Sequence, residues 1–313
     1  MNEASLDGRR ALVTGGGRGI GAAIARDLVA RGARVVIADS GTGIDGEGAD
    51  PSVAGDLAAS LGDAARPFSE SIASPGAAAA AVDLAVREFG GIDLVVNNAA
   101  ILRDAFIFRG DPGNWEAVLR NNLSAACYIL LAATPVMREQ AKAAAGDEAA
   151  RGRIVSIVST AGLYGNFGQH AYGAAKAGLV GLTRVAALDL ARDRITANSV
   201  APFAHTRVTD IIQPANDEQA SYKERAMKVD AGHVARLVSW LCGPDAADVS
   251  GQLFGVRGRE VFLFSQPRPV ARIASETADW TPETLTGAIR AGLAPDYTSL
   301  ESDLEAFNTE PLV

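Results

Sequence analysis

Tyr172 and Lys176 stand four residues apart in a helical pattern, which puts a phenol and an ammonium on one helix face within contact range. A free tyrosine, with a pKa of about 10, is a poor base at neutral pH, but a nearby positive charge lowers such a pKa by about 1 to 3 units. The pair could thus exchange a proton with a ligand oxygen; its structural alternative is a tyrosine packed over an alkyl stem. Ser159 follows the apolar run Ile154–Val158 and precedes Tyr172 by 13 residues. Its hydroxyl lies where a strand ends and a ligand oxygen could be oriented. Asn122, in Arg120-Asn121-Asn122-Leu123, interrupts a helical pattern, so its amide either caps or kinks that helix or holds a water reaching Lys176.

Such a set needs a scaffold that brings distant segments to one edge. Short β-rich runs alternate with helical patterns at Ala11–Thr14, Arg34–Ala38, Arg66–Phe68, Leu94–Asn97, Ile154–Val158, Ile195–Val200 and Leu253–Val256. Near-continuous apolar runs at Leu94–Val96 and Ile154–Val158 suit parallel strands covered on both faces. Helical stretches at Ala77–Phe89, Trp115–Ala141 and Tyr172–Ala191 suit right-handed crossovers. The expected fold is an α/β Rossmann-type doubly wound sheet of seven parallel strands, with ligands at the carboxyl ends of the strands.

The first strand runs into Thr14-Gly15-Gly16-Gly17-Arg18-Gly19-Ile20-Gly21 and then a helix. Glycines let the backbone approach a pyrophosphate, whose charge is met by the free N–H groups and positive dipole end of the helix. The spacing is Gly-x-x-x-Gly-x-Gly, not the common Gly-x-Gly-x-x-Gly fingerprint. Asp39 ends the second strand 24 positions after Gly15, about where a carboxylate accepts hydrogen bonds from an adenosine ribose. Its charge repels a 2′-phosphate, favouring NAD over NADP, whereas Arg18 could pair with that phosphate.

At 313 residues with 48% hydrophobic content, the chain can bury a large core. It lacks a run of 18 uninterrupted apolar residues and opens on Met1-Asn2-Glu3-Ala4-Ser5, so neither membrane insertion nor a secretory signal is expected, and the location expected is cytoplasmic. A formal net charge of −8 argues against nucleic acid as partner. Cys127 and Cys242 lie in apolar helical patterns, and His170, His205 and His233 have no ligand spacing, so no metal site is expected. Ser40–Ser52 is a polar, glycine-rich insertion, and Lys142–Arg153 a solvated excursion. The expected organisation is a dinucleotide-binding catalytic domain over residues 1–260 and an extension over 261–313, whose Trp280-Thr281-Pro282-Glu283 starts a helix and whose apolar residues pack on the body or a neighbouring subunit.

Taken together, Thr14–Gly21, Asn97-Asn98-Ala99-Ala100, Asn122, Ser159 and Tyr172-x-x-x-Lys176 resemble the short-chain dehydrogenase/reductase family over about residues 8–256. The resemblance implies Tyr172 as general acid/base, Ser159 as orienting donor, Lys176 as ribose ligand and pKa modifier, and Asn122 as water relay. It further implies dinucleotide contacts from Gly15, Arg18, Gly19, Ile20 and Gly21, an adenine contact at Ser71 and Ile72, cleft support from Asn98, and nicotinamide-end contacts from Pro202 and Thr206. Ala100 and Phe203 stand where the family commonly has glycine. His170 and His205 read either as pocket lining or as loop residues. A narrower likeness, in Ala38-Asp39, Asn98–Asp104, Leu163–Gln169 and Gly255–Glu260, is to the 3-hydroxyacyl-CoA dehydrogenase unit of peroxisomal multifunctional enzyme type 2 and its bacterial hydroxysteroid and hydroxyacyl-CoA relatives. This implies an NAD-dependent interconversion of a secondary alcohol and a ketone on a 3-hydroxyacyl-CoA or steroid-like lipid, in a homodimer or homotetramer. The alternatives are an NADPH-dependent 3-oxoacyl reductase and a non-catalytic dinucleotide-binding scaffold.

Overall fold

The computed structural model describes residues 6–144, 152–205, 217–275 and 279–313. Seven strands stack in parallel: β1 (Arg10–Thr14), β2 (Arg34–Ala38), β3 (Ala65–Phe68), β4 (Leu94–Asn97), β5 (Arg153–Ile157), β6 (Thr196–Phe203) and β7 (Leu253–Arg257). An eighth, β8 (Glu260–Leu263), runs antiparallel to β7, giving the order β3-β2-β1-β4-β5-β6-β7-β8. The expectation of seven strands is therefore corrected to eight. β8 carries the apolar run Val261-Phe262-Leu263 but has one neighbour, and it alternates half-buried and exposed residues as an edge strand does.

Both sheet faces are sealed by helices. α1 (Gly19–Ala30) buries Ile24, Ala25 and Leu28 in one core with Val13, Val35 and Ile37. The helix α2 (Ser52–Leu61) joins that core through Leu57 and Ala58. On the opposite face, α3 (Pro75–Phe89) packs Ala78, Ala81 and Val82 with Leu12, Val36 and Val95. The next crossover is not the single helix expected over Trp115–Ala141. It comprises α4 (Pro112–Leu119), a π turn over Arg120–Ser124, and α5 (Ala125–Ala143). α6 (His170–Asp189) carries the Tyr-x-x-x-Lys pair, and α7 (Asp217–Ala226) and α8 (Gly232–Cys242) lie between β6 and β7. Both cysteines are free.

Residues 6–264 and 302–313 form one compact unit, and 265–301 a second. Within the second, α9 (Pro282–Gly292) starts on a reciprocal capping box between Thr281 and Thr284, with Pro282 in the first turn. The last segment returns to the first unit and includes a short helix, α10 (Asp303–Ala306). There Arg257 donates to the carbonyls of Phe307 (2.9 Å) and Thr309 (3.2 Å), and Phe307 sits among Tyr164, Phe203, Phe262 and Phe264. Among the described residues no helix is long and apolar enough to cross a membrane.

Candidate active site

The carboxyl ends of β1, β2 and β4 open into a cleft of about 290 Å3. Its walls include Gly15, Arg18, Gly19, Ile20, Gly21, Asp39, Ser71, Ile72, Asn98, Tyr172, Lys176 and Pro202, so these sequence-predicted positions share one cavity. Thr206 lies outside the described residues.

The glycine turn is shaped for close approach. A Cβ on Gly15, whose φ is +58°, would come 2.8 Å from Ala99 Cα, and one on Gly21 would collide with the Gly15 carbonyl. Asn98 braces the turn by donating from Nδ2 to the carbonyls of Thr14 (3.0 Å) and Gly15 (2.9 Å). The carboxylate of Asp39 is fixed by two amides, with Oδ2 accepting from Gly17 N–H (3.0 Å) and Oδ1 from Gly41 N–H (2.9 Å). Arg18 donates to the Thr42 carbonyl (2.7 Å). A side-chain-free cradle at a helix start, followed by a carboxylate at the second strand's tip, fits a nicotinamide dinucleotide. Among the described residues no cluster suited to a metal ion is present.

The insertion after β2 is a strap on this cleft. Thr42 and Ile44 line it, Leu102 N–H bonds the Ile44 carbonyl (2.8 Å), and Arg103 donates to the Asp45 carbonyl (2.8 Å) while pairing with Glu47. Nothing in the glycine-rich composition of 41–48 signalled these bonds; their partners lie more than 50 residues away.

A second chamber of about 470 Å3 adjoins the cleft, sharing Ile20, Leu102, Tyr172 and Pro202 with it. Ser159 and Asp104 line this chamber, as do Tyr222 of α7 and Asp303 and Phe307 of the returning segment. Tyr172 is half-buried at the junction. Burial pushes its phenol up to about 12; a hydrogen bond with Ser159 opposes the rise, and the charges of Asp104 and Asp303 add to it. Lys176 is fully buried, with Nζ donating to the Ile157 carbonyl (2.7 Å) and lying 5.6 Å from the Tyr172 ring centroid. Burial brings its ammonium down to about 8. Ser159 caps a short turn, its Oγ accepting from Ala161 N–H (3.2 Å).

Asn122 is placed differently from the other three. It lies buried in the π turn, with Oδ1 accepting from Ile101 N–H (2.8 Å) and Nδ2 donating to the Ile101 carbonyl (2.9 Å). The amide thus clamps the loop after β4, and it is Asn121 that reaches the cleft wall. His170 stacks on Trp115 and bonds the Ala105 carbonyl through Nδ1 (2.9 Å); it lines neither cavity. Sequence reasoning missed Tyr222, Asp303 and Phe307. Their distance along the chain from Tyr172 hid them, although the unusual length beyond β7 was a signal that something returns.

Residues 9–220 match the short chain dehydrogenase family. The chain is 36% identical to the hydroxyacyl-CoA dehydrogenase ChsB1 of Mycobacterium tuberculosis, covering 97% of this chain and 95% of that one. It is 35% identical to the mouse peroxisomal multifunctional enzyme type 2 over 80% of this chain and 32% of that protein. A crystal structure of a short chain dehydrogenase from Mycobacterium avium superposes with a TM-score of 0.75 at 34% identity, covering 91% of this chain and 94% of that one. With the glycine cradle, the Tyr172–Lys176 face and Ser159 gathered where two cavities meet, the chain belongs to the short-chain dehydrogenase/reductase family of oxidoreductases.

Proposed function

We propose that this protein is an NAD-dependent dehydrogenase interconverting a secondary alcohol and a ketone on a bulky lipid-like substrate, a 3-hydroxyacyl-CoA or a hydroxysteroid. The observation that carries the reading is the junction at Tyr172, where the dinucleotide-shaped cleft and a larger chamber, with Leu102, Phe167, Phe203, Leu304 and Phe307 among its walls, share one ionisable oxygen. When bound, a nicotinamide dinucleotide supplies the hydride acceptor or donor and, oxidised, a positive charge. Gly15, Gly19 and Gly21 would admit its pyrophosphate, Asp39 its adenosine ribose, Ser71 and Ile72 its adenine, and Lys176 and Pro202 the nicotinamide half.

Ser159 holds the substrate oxygen towards the phenol. Tyr172 takes the hydroxyl proton as the carbon is oxidised, or returns it as the carbonyl is reduced. A phenol near 12 is a weak base, so the charge of Lys176 must bring it down, assisted by the oxidised cofactor. Because the Asn122 side chain is committed to Ile101, we assign any water relay towards Lys176 to the main chain of the π turn. Oxidation of 3-hydroxyacyl-CoAs and hydroxysteroids, followed through NADH absorbance, tests the reading. Turnover expected with NAD and one of these classes supports it; no turnover with either class overturns it.

A second reading, reduction of a 3-oxoacyl substrate by NADPH, runs the same step in reverse, with the Tyr172 phenol donating its proton to the carbonyl oxygen. Comparing the two directions at equal substrate excess separates them.

A further inference from the structure

Tyr222 is a hydroxyl that the scheme above leaves without a task. It stands on α7, is half-buried, and lines the chamber that also holds Ser159 and Tyr172. No described residue hydrogen-bonds its oxygen, and that oxygen is not among the side-chain atoms sealed from solvent. Other polar side chains of the chamber are spent on one another: Arg225 on Glu310 and Asn308, Arg257 on Glu260 and Thr309, Asp104 on Gln169. The Asp303 carboxyl is held by Thr160 Oγ1 (2.9 Å) and by main-chain N–H groups at its own helix start. A phenol in such a place usually bonds a neighbour, and this one is left for what enters the chamber. Burial, and then the charge of Asp303, hold it above its ordinary pKa against a smaller pull from Arg257, so it keeps its proton at neutral pH. The same Asp303 charge acts on Tyr172, so both phenols stand within electrostatic reach of one carboxyl.

We propose that Tyr222 is a specificity-determining residue that donates a hydrogen bond to the acyl carbonyl of a 3-hydroxyacyl thioester while Ser159 and Tyr172 hold its hydroxyl. The inference rests on the lipid-alcohol reading and narrows it to the thioester. In that substrate one methylene separates the carbonyl carbon from the carbon being oxidised, so one chamber with a donor for each can hold both oxygens. A carbonyl only accepts, which matches a phenol held in its protonated form. A free carboxylate would accept as well, but it would bring a second negative charge towards Asp303, whereas the thioester is neutral. A site built to hydrogen-bond a substrate group rejects the analogue lacking it far more strongly than an apolar pocket distinguishes one methylene.

The test compares 3-hydroxyhexanoyl-CoA, followed as NADH formation by the full-length protein, with its thioether analogue, in which the carbonyl is a methylene, measured as a competitive inhibitor. Tyr222→Phe should lower kcat/KM for the thioester about tenfold, the equivalent of one hydrogen bond. The inhibition constant of the thioether, the NAD affinity and the melting temperature should stay as in the wild type. A thioester loss below about twofold, or an equal weakening of the thioether, overturns the role of Tyr222 alone. If the thioether binds too weakly to compare, the infrared stretch of the bound, isotopically labelled thioester carbonyl decides. A lower frequency in the wild type than in Tyr222→Phe supports the bond, and equal frequencies overturn it. Turnover of a hydroxysteroid but of no thioester overturns the role of Tyr222 and leaves the dehydrogenase reading standing; turnover of neither overturns both.

Discussion

At the scale of single residues, the Tyr172 oxygen and the Lys176 ammonium are displaced from their ordinary ionisation by the same burial, in opposite directions. Tyr172→Phe removes one oxygen and should lower kcat by about 10² to 10⁴ with cofactor affinity retained, as steady-state rates and NADH titration would register. Lys176 has a stability consequence as well. Its folded value near 8 lies below the unfolded 10.5, so below pH 8 the folded state bears the full cost of holding a charge there. That cost is of the order of 3 kcal/mol and is relieved as pH rises from 8 towards 10.5. Lys176→Met should therefore be more stable than wild type at pH 7 in urea unfolding, and the gap should narrow by pH 10, even as turnover is lost. At Asp39 the expectation concerns choice: its carboxylate, already fixed by Gly17 and Gly41, should make NAD bind at least about tenfold tighter than NADP. Equal affinities in a fluorescence titration would mean that Arg18 compensates.

Among elements, the strap over the cleft invites a kinetic measurement. Glu47 is largely exposed and its ion pair with Arg103 is worth little in water, but Arg103 also bonds the Asp45 carbonyl (2.8 Å) and Asn114 (3.1 Å). Arg103→Ala should speed NADH release about fivefold in stopped-flow fluorescence, the equivalent of about one net hydrogen bond. The strap also marks where sequence stops informing. The strands β1, β4 and β5 are written largely as apolar runs because both of their faces are buried, and the glycine turn is written in spacing because a ligand must approach the backbone. By contrast, the strap's bonds use main-chain carbonyls, which any residue supplies. β8 is written as the apolar run Val261-Phe262-Leu263, but only two residues separate it from β7 and half of it faces solvent, so it does not stand out as a strand of its own. Asp303 is one aspartate among many until the chain's return places it against Thr160. Asn122 was visible as an interruption of helical pattern, but its partner, the Ile101 main chain, has no sequence signature.

Across the whole molecule, Leu131 of α5 and Val185 and Leu188 of α6 are 67%, 54% and 71% exposed. Apolar side chains displayed on these two helices support the proposal of a homodimer or homotetramer, closed by symmetry. The double variant Leu131→Glu, Leu188→Glu should be monomeric by light scattering at micromolar concentration where the wild type is not. The π turn bears on the same layer of helices. Each residue in an α-helix advances its face by about 100°, so a turn that accommodates one extra residue changes the rotational phase between what precedes and follows it. Here α4 directs Val118 towards Ala171 and Ala175 of α6, while α5 directs Ala125, Ile129, Ala133 and Met137 towards α3 and the sheet. One rod thus meshes with two neighbours at two phase settings. Deleting a single residue from Arg120–Ser124 would retain almost every side chain yet rotate one half out of mesh, withdrawing either the packing beneath Tyr172 or the cover on the sheet; this short stretch should tolerate substitutions far better than a change of length.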